Sequence, residues 1–160
     1  MAGVAVIVVN FNSGPLLRES LRCLRAQTHR PQQVIVVDNA SHDNSTYHLD
    51  RDYPEVEWVR LERNLGFAAA NNLAAQRADG VEWLALLNPD AFPKQDWLER
   101  LLAATLVYPG CAGFGSRLLD AGDPVRLDGT GDVYHVSGLA WRRGHGQKMA
   151  AGAAVNEDIF

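Results

Sequence analysis

Three short apolar runs in this chain each end on Asn and Asp residues. Residues 4–9 lead into Asn10 and Asn12, residues 34–37 into Asp38 and Asn39, and residues 83–87 into Asn88, Pro89 and Asp90. A short run rich in β-branched residues, followed by a helical pattern, predicts a buried parallel strand. After the first run, Ser13 or Gly14 is placed to cap a helix with Pro15 in its first turn, where a missing N–H costs nothing. Leu17, Leu21 and Leu24 then repeat at helical spacing, with Arg18, Glu19, Arg22 and Arg25 mostly on other faces. That helix is expected to stop before Pro31, and Ser41 or Asp43 to start a short one towards Leu49. Residues 56–61 alternate enough for a third, partly exposed strand. An Ala-rich helix is predicted over 67–78, ending at Asp79-Gly80. Trp97, Leu98, Leu101 and Leu102 mark one face of a last helix that ends by Tyr108-Pro109-Gly110. The order βαβαβαβα predicts an α/β fold, a mostly parallel sheet flanked by helices on both faces.

The pattern changes after about Ser116. Residues 120–152 carry many Gly and Asp residues, with weak strand signals at 125–127 and 133–136. Arg142-Arg143-Gly144-His145-Gly146 reads as an exposed, mobile loop. No internal repeat is visible.

In an open parallel sheet, ligands bind in the crevice beyond the carboxyl ends of the strands. Hydrogen-bonding side chains and carboxylates recur at that edge, which suits a polar, phosphorylated ligand. Asp38 could accept hydrogen bonds from a nucleobase N–H or ribose hydroxyls, or it could cap the following turn with Asn39 and Ser41. The residue alone leaves both readings open; Asn10 and Asn12, one strand away, add weight to the first. Pro89 keeps Asn88 extended and holds Asp90 just past its strand. Taken alone, that tripeptide reads as an Asn-Pro turn with Asp90 capping a helix near Pro93. Its other role is the single carboxylate that, with phosphate oxygens and waters, holds Mg²⁺ or Mn²⁺ on a nucleotide diphosphate. Asn64-Leu65-Gly66-Phe67 precedes the Ala-rich helix, where Gly66 permits a tight turn and free N–H groups could face an anion. Asn71 and Asn72 lie one turn into that helix, facing either the crevice or water.

Composition narrows the classes. The 160 residues are 47% hydrophobic and 21% charged, enough for a substantial core. A net charge of −4 without any Lys or Arg run argues against nucleic acid as partner, and the four Trp residues are not interleaved with basic clusters. Cys23 and Cys111 show no CxxC spacing and are expected to be two buried free thiols. The N-terminal apolar run is too short to span a membrane and lacks a signal peptide's basic leader, so a cytoplasmic location is expected. GxGxxG, GxxxxGK[ST] and GxSxG are all absent, and the five His residues have no metal-ligand spacing.

Taken in order, four segments resemble the inverting glycosyltransferases of family 2, in their rhamnosyltransferase-like branch. They are residues 6–12; residues 36–41 with Asp43; residues 63–67 with Asn71; and residues 87–90. Each is weak alone, but together they span roughly residues 4–117. The resemblance implies a Rossmann-like GT-A fold that binds a nucleotide-diphospho-sugar. It implies that Asn10, Phe11 and Asn12 line the nucleotide pocket and that Asp38 recognises the base of a UDP- or dTDP-sugar. By the same resemblance, Asn39, Asn64, Gly66 and Asn71 are expected in that nucleotide site, Asn88 near the ribose, and Asp90 as the ligand of a divalent cation, Mg or Mn. Asn88-Pro89-Asp90 stands where many relatives carry an Asp-rich triplet, so metal binding is expected to be weaker without substrate.

In the resembled family the acceptor site and general base follow the donor-binding half. Glu157-Asp158 comes too early to be that base, which is expected beyond Phe160. The expected organisation is therefore a nucleotide-sugar-binding core over 1–117 and a Gly-rich, irregular or hairpin extension of the same domain over 118–160, cut before the acceptor-binding segment. The implied acceptor is a cell-envelope polysaccharide or lipid-linked glycan, with peripheral membrane association at the inner face. A second reading is a non-catalytic nucleotide-binding or interaction module that self-associates through the truncated edge or through Trp141. A sugar nucleotidyltransferase is disfavoured by the lack of a Gly-rich, basic phosphate loop near the first strand.

Overall fold

The computed structural model describes residues 2–149. The chain divides into two compact units between residues 103 and 104. In the first, strand β1 (Val4–Asn10) runs through the middle of a four-stranded parallel sheet, and all seven of its residues are buried. Its neighbours are β2 (Gln33–Asp38) and β4 (Trp83–Leu87), with β3 (Glu57–Arg60) outside β2, giving the order β3-β2-β1-β4.

Alternation along the strands supplies a core on each face. Val4, Val6, Val8 and Val36 point to one side, where Leu17, Leu21 and Leu24 of α1 (Leu16–Arg25) meet them. Leu49 of α2 (Leu49–Asp52) and Leu98 of α4 (Trp97–Val107) complete that layer. Ile7, Val9, Ile35, Val37 and Val59 point to the other side, against Ala70 and Ala74 of α3 (Phe67–Ala75). Those two Ala residues lie one turn apart and are fully buried, so the short side chains let α3 press close to the sheet.

Several local details depart from the sequence expectation. Pro15 (φ −76°, ψ −11°) occupies the cap position of α1 and no side chain caps it; Ser13, expected as a cap, is drawn towards Asn10 instead. The segment after Asp38 is a run of turns with Ala40 and His48 at positive φ, and only residues 49–52 are helical. Ser41 and Asp43 are spent on hydrogen bonds to neighbouring loops, so no helix begins there. The Ala-rich helix stops at Ala75 and not at 78. Both cysteines are free, but Cys23 is half-buried and Cys111 exposed, which corrects the expectation of two buried thiols. Partial burial still pushes the Cys23 thiol above its ordinary value.

β4 differs most. Its Trp83, Ala85 and Leu87 pack into the first core layer, whereas Leu84 and Leu86 are 45% and 54% exposed. α3 packs chiefly over β1 and β2. Among the described residues, the outer edge of β4 has no paired strand.

In the second unit β5 (Leu118–Leu119) pairs antiparallel with β6 (Leu127–Gly129), and β7 (Asp132–Tyr134) with β8 (Ala140–Arg142). The expected loop over 142–146 is a hydrogen-bonded turn: Arg142 belongs to β8, Gly144 and Gly146 take positive φ, and the Gly146 N–H donates to the Leu127 carbonyl at 2.9 Å. Glu157 and Asp158 lie outside the described residues.

Candidate functional site

Strand register brings the polar ends together. Asn10 pairs with Asp38, Asp38 with Arg60, and Val8 with Leu87, so Asn88 follows at the same edge. The row of Asn and Asp residues therefore sits at the carboxyl end of the sheet.

Asn10 is fully buried and organises this edge from beneath. Its Nδ2 lies 3.1 Å from Asp38 Oδ1, 3.0 Å from Ser41 Oγ and 2.9 Å from Ser45 Oγ, its two N–H groups shared among the three acceptors. Its Oδ1 accepts from the Ser13 hydroxyl, and its carbonyl accepts from the Asn39 N–H at 2.8 Å. With its side chain spent on protein partners, Asn10 positions the loops around it.

Asn12, at φ 52°, joins the two loops above Asn10. Its N–H donates to Ser41 Oγ at 3.0 Å, and its Oδ1 accepts from the His42 N–H at 2.7 Å. The Gly14 N–H donates to Asp43 Oδ2 at 2.8 Å, and the Ser45 N–H to Asp43 Oδ1 at 3.0 Å. Slight desolvation works to raise the Asp43 carboxyl, but hydrogen bonds from Ser45 and the Gly14 N–H outweigh it and hold the group below its ordinary 3.8. Asp43 thus stays ionised and keeps the loop between β1 and α1 tied to the loop after β2.

Asp38 is nearly buried, and only Oδ1 is engaged, by Asn10 and by the Ser41 N–H at 3.3 Å. Oδ2 has no hydrogen-bond partner among the described residues. A carboxylate held by one oxygen presents the other as a fixed acceptor for an N–H or a hydroxyl.

Asn39 governs the approach to α3. Its Nδ2 donates to Asn64 Oδ1 at 2.8 Å, and its Oδ1 accepts from the Leu65 N–H at 2.9 Å. Asn64 Oδ1 also accepts from the Gly66 N–H at 2.8 Å. Gly66 then turns the chain into the helix at φ 81°, ψ 165°, a region essentially restricted to Gly. Asn71 is buried and donates to the Phe67 carbonyl at 2.9 Å, so its amide nitrogen serves its own helix. Phe11, Leu65 and Phe67 are exposed beside these polar groups.

Asn88 and Asp90 are exposed beyond β4, and the Ala91 N–H closes a turn onto the Asn88 carbonyl at 3.1 Å. Among the described residues no three His, Cys, Asp or Glu side chains gather as a metal cluster. Asp90 offers one hard oxygen donor, which fits Mg²⁺ or Mn²⁺ only when diphosphate oxygens and waters fill the remaining positions.

The sequence did not single out Ser45 and Ser13 as parts of this network. Ser45 lies seven residues past its strand, and only the alternation Ser41, Asp43, Ser45 in a turn-rich run hinted that its hydroxyl would face inward.

Parallel order, helices on both faces and a polar carboxyl edge define a nucleotide-binding type of α/β fold. The GT-A form of it is shared with Staphylococcus aureus TarS 1-349 in complex with UDP-GlcNAc. There the TM-score is 0.60 at 23% identity, over 74% of this chain and 38% of that one. The mannosyltransferase PcManGT from Pyrobaculum calidifontis, in complex with GDP-Man and Mn²⁺, matches with a TM-score of 0.57 at 27% identity, over 76% of this chain and 37% of that one. A sequence profile described as Glycosyl transferase family 2 matches residues 5–113, and the chain belongs to that family. Among curated relatives, an N-acetylglucosaminyl-diphospho-decaprenol L-rhamnosyltransferase of Mycobacterium tuberculosis is 29% identical over 139 residues, covering 81% of this chain and 43% of that protein. The chain thus spans less than half the length of that relative.

Proposed function

We propose that this chain is the donor-binding part of an inverting glycosyltransferase that moves a sugar from a UDP- or dTDP-sugar to a hydroxyl acceptor. The observation that carries the reading is Asp38, pinned through Oδ1 by Asn10 and Ser41 and open at Oδ2, where it can accept from the base of the donor. The start of α3, just past Gly66, faces the same edge and offers the N–H groups of its first turn to an anion. Asn12, Asn39 and Asn64 hold the walls, and Asn88 stands by the ribose. Asp90 holds a divalent cation together with the donor diphosphate. When bound, that cation offsets negative charge on the leaving diphosphate. The chain's own contribution is orientation of the donor and fixed dipoles around it.

The mycobacterial relative's name specifies a diphospho-decaprenol acceptor. By that likeness the acceptor here is a lipid-linked or cell-envelope glycan, met in the cytoplasm at the inner face of the membrane. No helix of the described residues is long and apolar enough to cross a membrane. We assign no general base among the described residues.

Calorimetric titration with UDP and dTDP, with and without Mn²⁺, tests the reading. Metal-dependent binding is expected, lost in Asp90→Ala and weakened roughly tenfold or more in Asp38→Ala, as for a charged hydrogen bond removed. A folded chain that binds neither nucleotide would overturn it, and binding unchanged in Asp90→Ala would remove the metal role.

A further inference from the structure

Ser41 brings to the carboxyl edge a hydroxyl proton that no group among the described residues accepts. Its Oγ lies 3.0 Å from the backbone nitrogen of Asn12 and 3.0 Å from Asn10 Nδ2. Both neighbours only donate, so neither takes the Ser41 proton, and no other hydrogen bond of this hydroxyl exists among the described residues. The Ser13 hydroxyl, by contrast, donates to Asn10 Oδ1. With its lone pairs turned towards Asn10 and Asn12, the Ser41 O–H points away from both. Asn10 is fully buried beneath the edge, whereas Ser41 is half-buried.

The backbone around Ser41 fixes where that proton sits. The Ser41 N–H donates to Asp38 Oδ1 at 3.3 Å, and the next N–H, of His42, donates to Asn12 Oδ1 at 2.7 Å. Ser41 Oγ and Asp38 Oδ1 lie 3.0 and 3.1 Å from the same Asn10 nitrogen. Asp38 Oδ2, the open acceptor, shares its carbon with Oδ1 and so stands beside this hydroxyl. A held donor next to a held acceptor selects a ligand edge that carries the complementary pair.

We infer that Ser41 is a specificity-determining residue of the donor site, a role that rests on the proposed function. Its hydroxyl donates to carbonyl O4 of a uracil or thymine base, while Asp38 Oδ2 accepts from the N3–H of the same base. In that reading Asn88 stands by the ribose and follows β4, and β1 separates β4 from β2. The edge of the base farthest from the sugar therefore meets Asp38 and Ser41, and that edge carries N3–H and O4. Cytosine inverts both positions: N3 is an acceptor facing the carboxylate, and the 4-amino group is a donor facing the hydroxyl. Each mismatch leaves a polar group without a partner. Guanine also presents an N–H beside a carbonyl, so the discriminating comparison stays within one ring size, UDP against CDP.

Calorimetric titration of the 160-residue chain with UDP, CDP, 4-thio-UDP and 2-thio-UDP, all with Mn²⁺, tests it. UDP should bind about tenfold or more tightly than CDP. Sulfur at position 4 keeps N3–H but accepts poorly, so 4-thio-UDP should bind more weakly than UDP, and 2-thio-UDP should match UDP. In Ser41→Ala the affinities for UDP and 4-thio-UDP should converge, through a loss of UDP binding of about tenfold. Ser41→Thr, which keeps the hydroxyl, should retain the difference, and circular dichroism of both variants should match the parent. A merely structural role would weaken all four nucleotides alike and leave their ratios unchanged, which overturns the inference. So does a parent chain that binds UDP and 4-thio-UDP equally, or that penalises 2-thio-UDP in place of 4-thio-UDP; these arms need no variant to fold. UDP binding with any of those outcomes leaves the donor site standing. A folded parent chain that binds no nucleotide removes the donor site and this role together.

Discussion

Asn10 shows how one buried side chain can tie together the loops around a polar strand edge. Its amide reaches Asp38, Ser41, Ser45 and Ser13, which come from three successive stretches of chain. Asn10→Ala leaves several of these partners without a donor or acceptor in a buried setting. A loss of about 1–3 kcal/mol is expected in urea unfolding, together with weaker nucleotide binding, because Asp38 is no longer pinned. Ser20 is the opposite case. It is fully buried on α1, and its hydroxyl has no partner among the described residues. Ser20→Ala removes an unsatisfied polar atom and improves helix propensity, so a gain of about 1 kcal/mol in the same experiment is expected. Equal or lower stability would mean that the Ser20 hydroxyl is hydrogen-bonded in the folded chain.

At the scale of elements, the approach to α3 is fixed by two Asn side chains and one Gly. Asn39 and Asn64 hold the backbone of residues 64–66, and Gly66 supplies the φ of 81° that turns it into the helix. A Cβ at Gly66 would meet nothing within 4 Å, so a substitution there acts through backbone strain and not through a clash. Gly66→Ala is therefore expected to lower the thermal midpoint by an amount equivalent to about 1–3 kcal/mol. The donor affinity should fall with it, since the N–H groups that start α3 would shift. The Asn64-Leu65-Gly66-Phe67 motif was legible in the sequence because Gly before an Ala-rich run marks such a turn. The partnership with Asn39 was not, because nothing in local pattern links residues 25 positions apart.

At the scale of the whole molecule, one strand edge is left open. Leu84 and Leu86 are exposed on β4, and no strand among the described residues pairs with its outer edge. Unpaired backbone groups beside apolar side chains template association with another chain. Sedimentation velocity over a range of concentrations should show self-association of this chain, reduced in Leu86→Lys. A monomer at all concentrations would show that the edge is protected.

The amino-acid sequence alone determined the alternation of strands and helices, the parallel order, and the placing of Asn10, Asp38 and Asn88 at strand ends. Those features follow from local periodicity and from turn residues, which act within a few positions of chain. Tertiary structure decided how these ends are used. Asn10 turns inward because Ser41 and Ser45, 31 and 35 residues away, supply acceptors beneath the edge. Ser41 and Asp43 leave the helix they were placed to start because Asn12 and Gly14 offer better partners across the loop. A period of two tells which residues of β4 share a face, but not whether a second layer covers that face. That depends on where α3 packs, and α3 packs on β1 and β2, leaving Leu84 and Leu86 exposed.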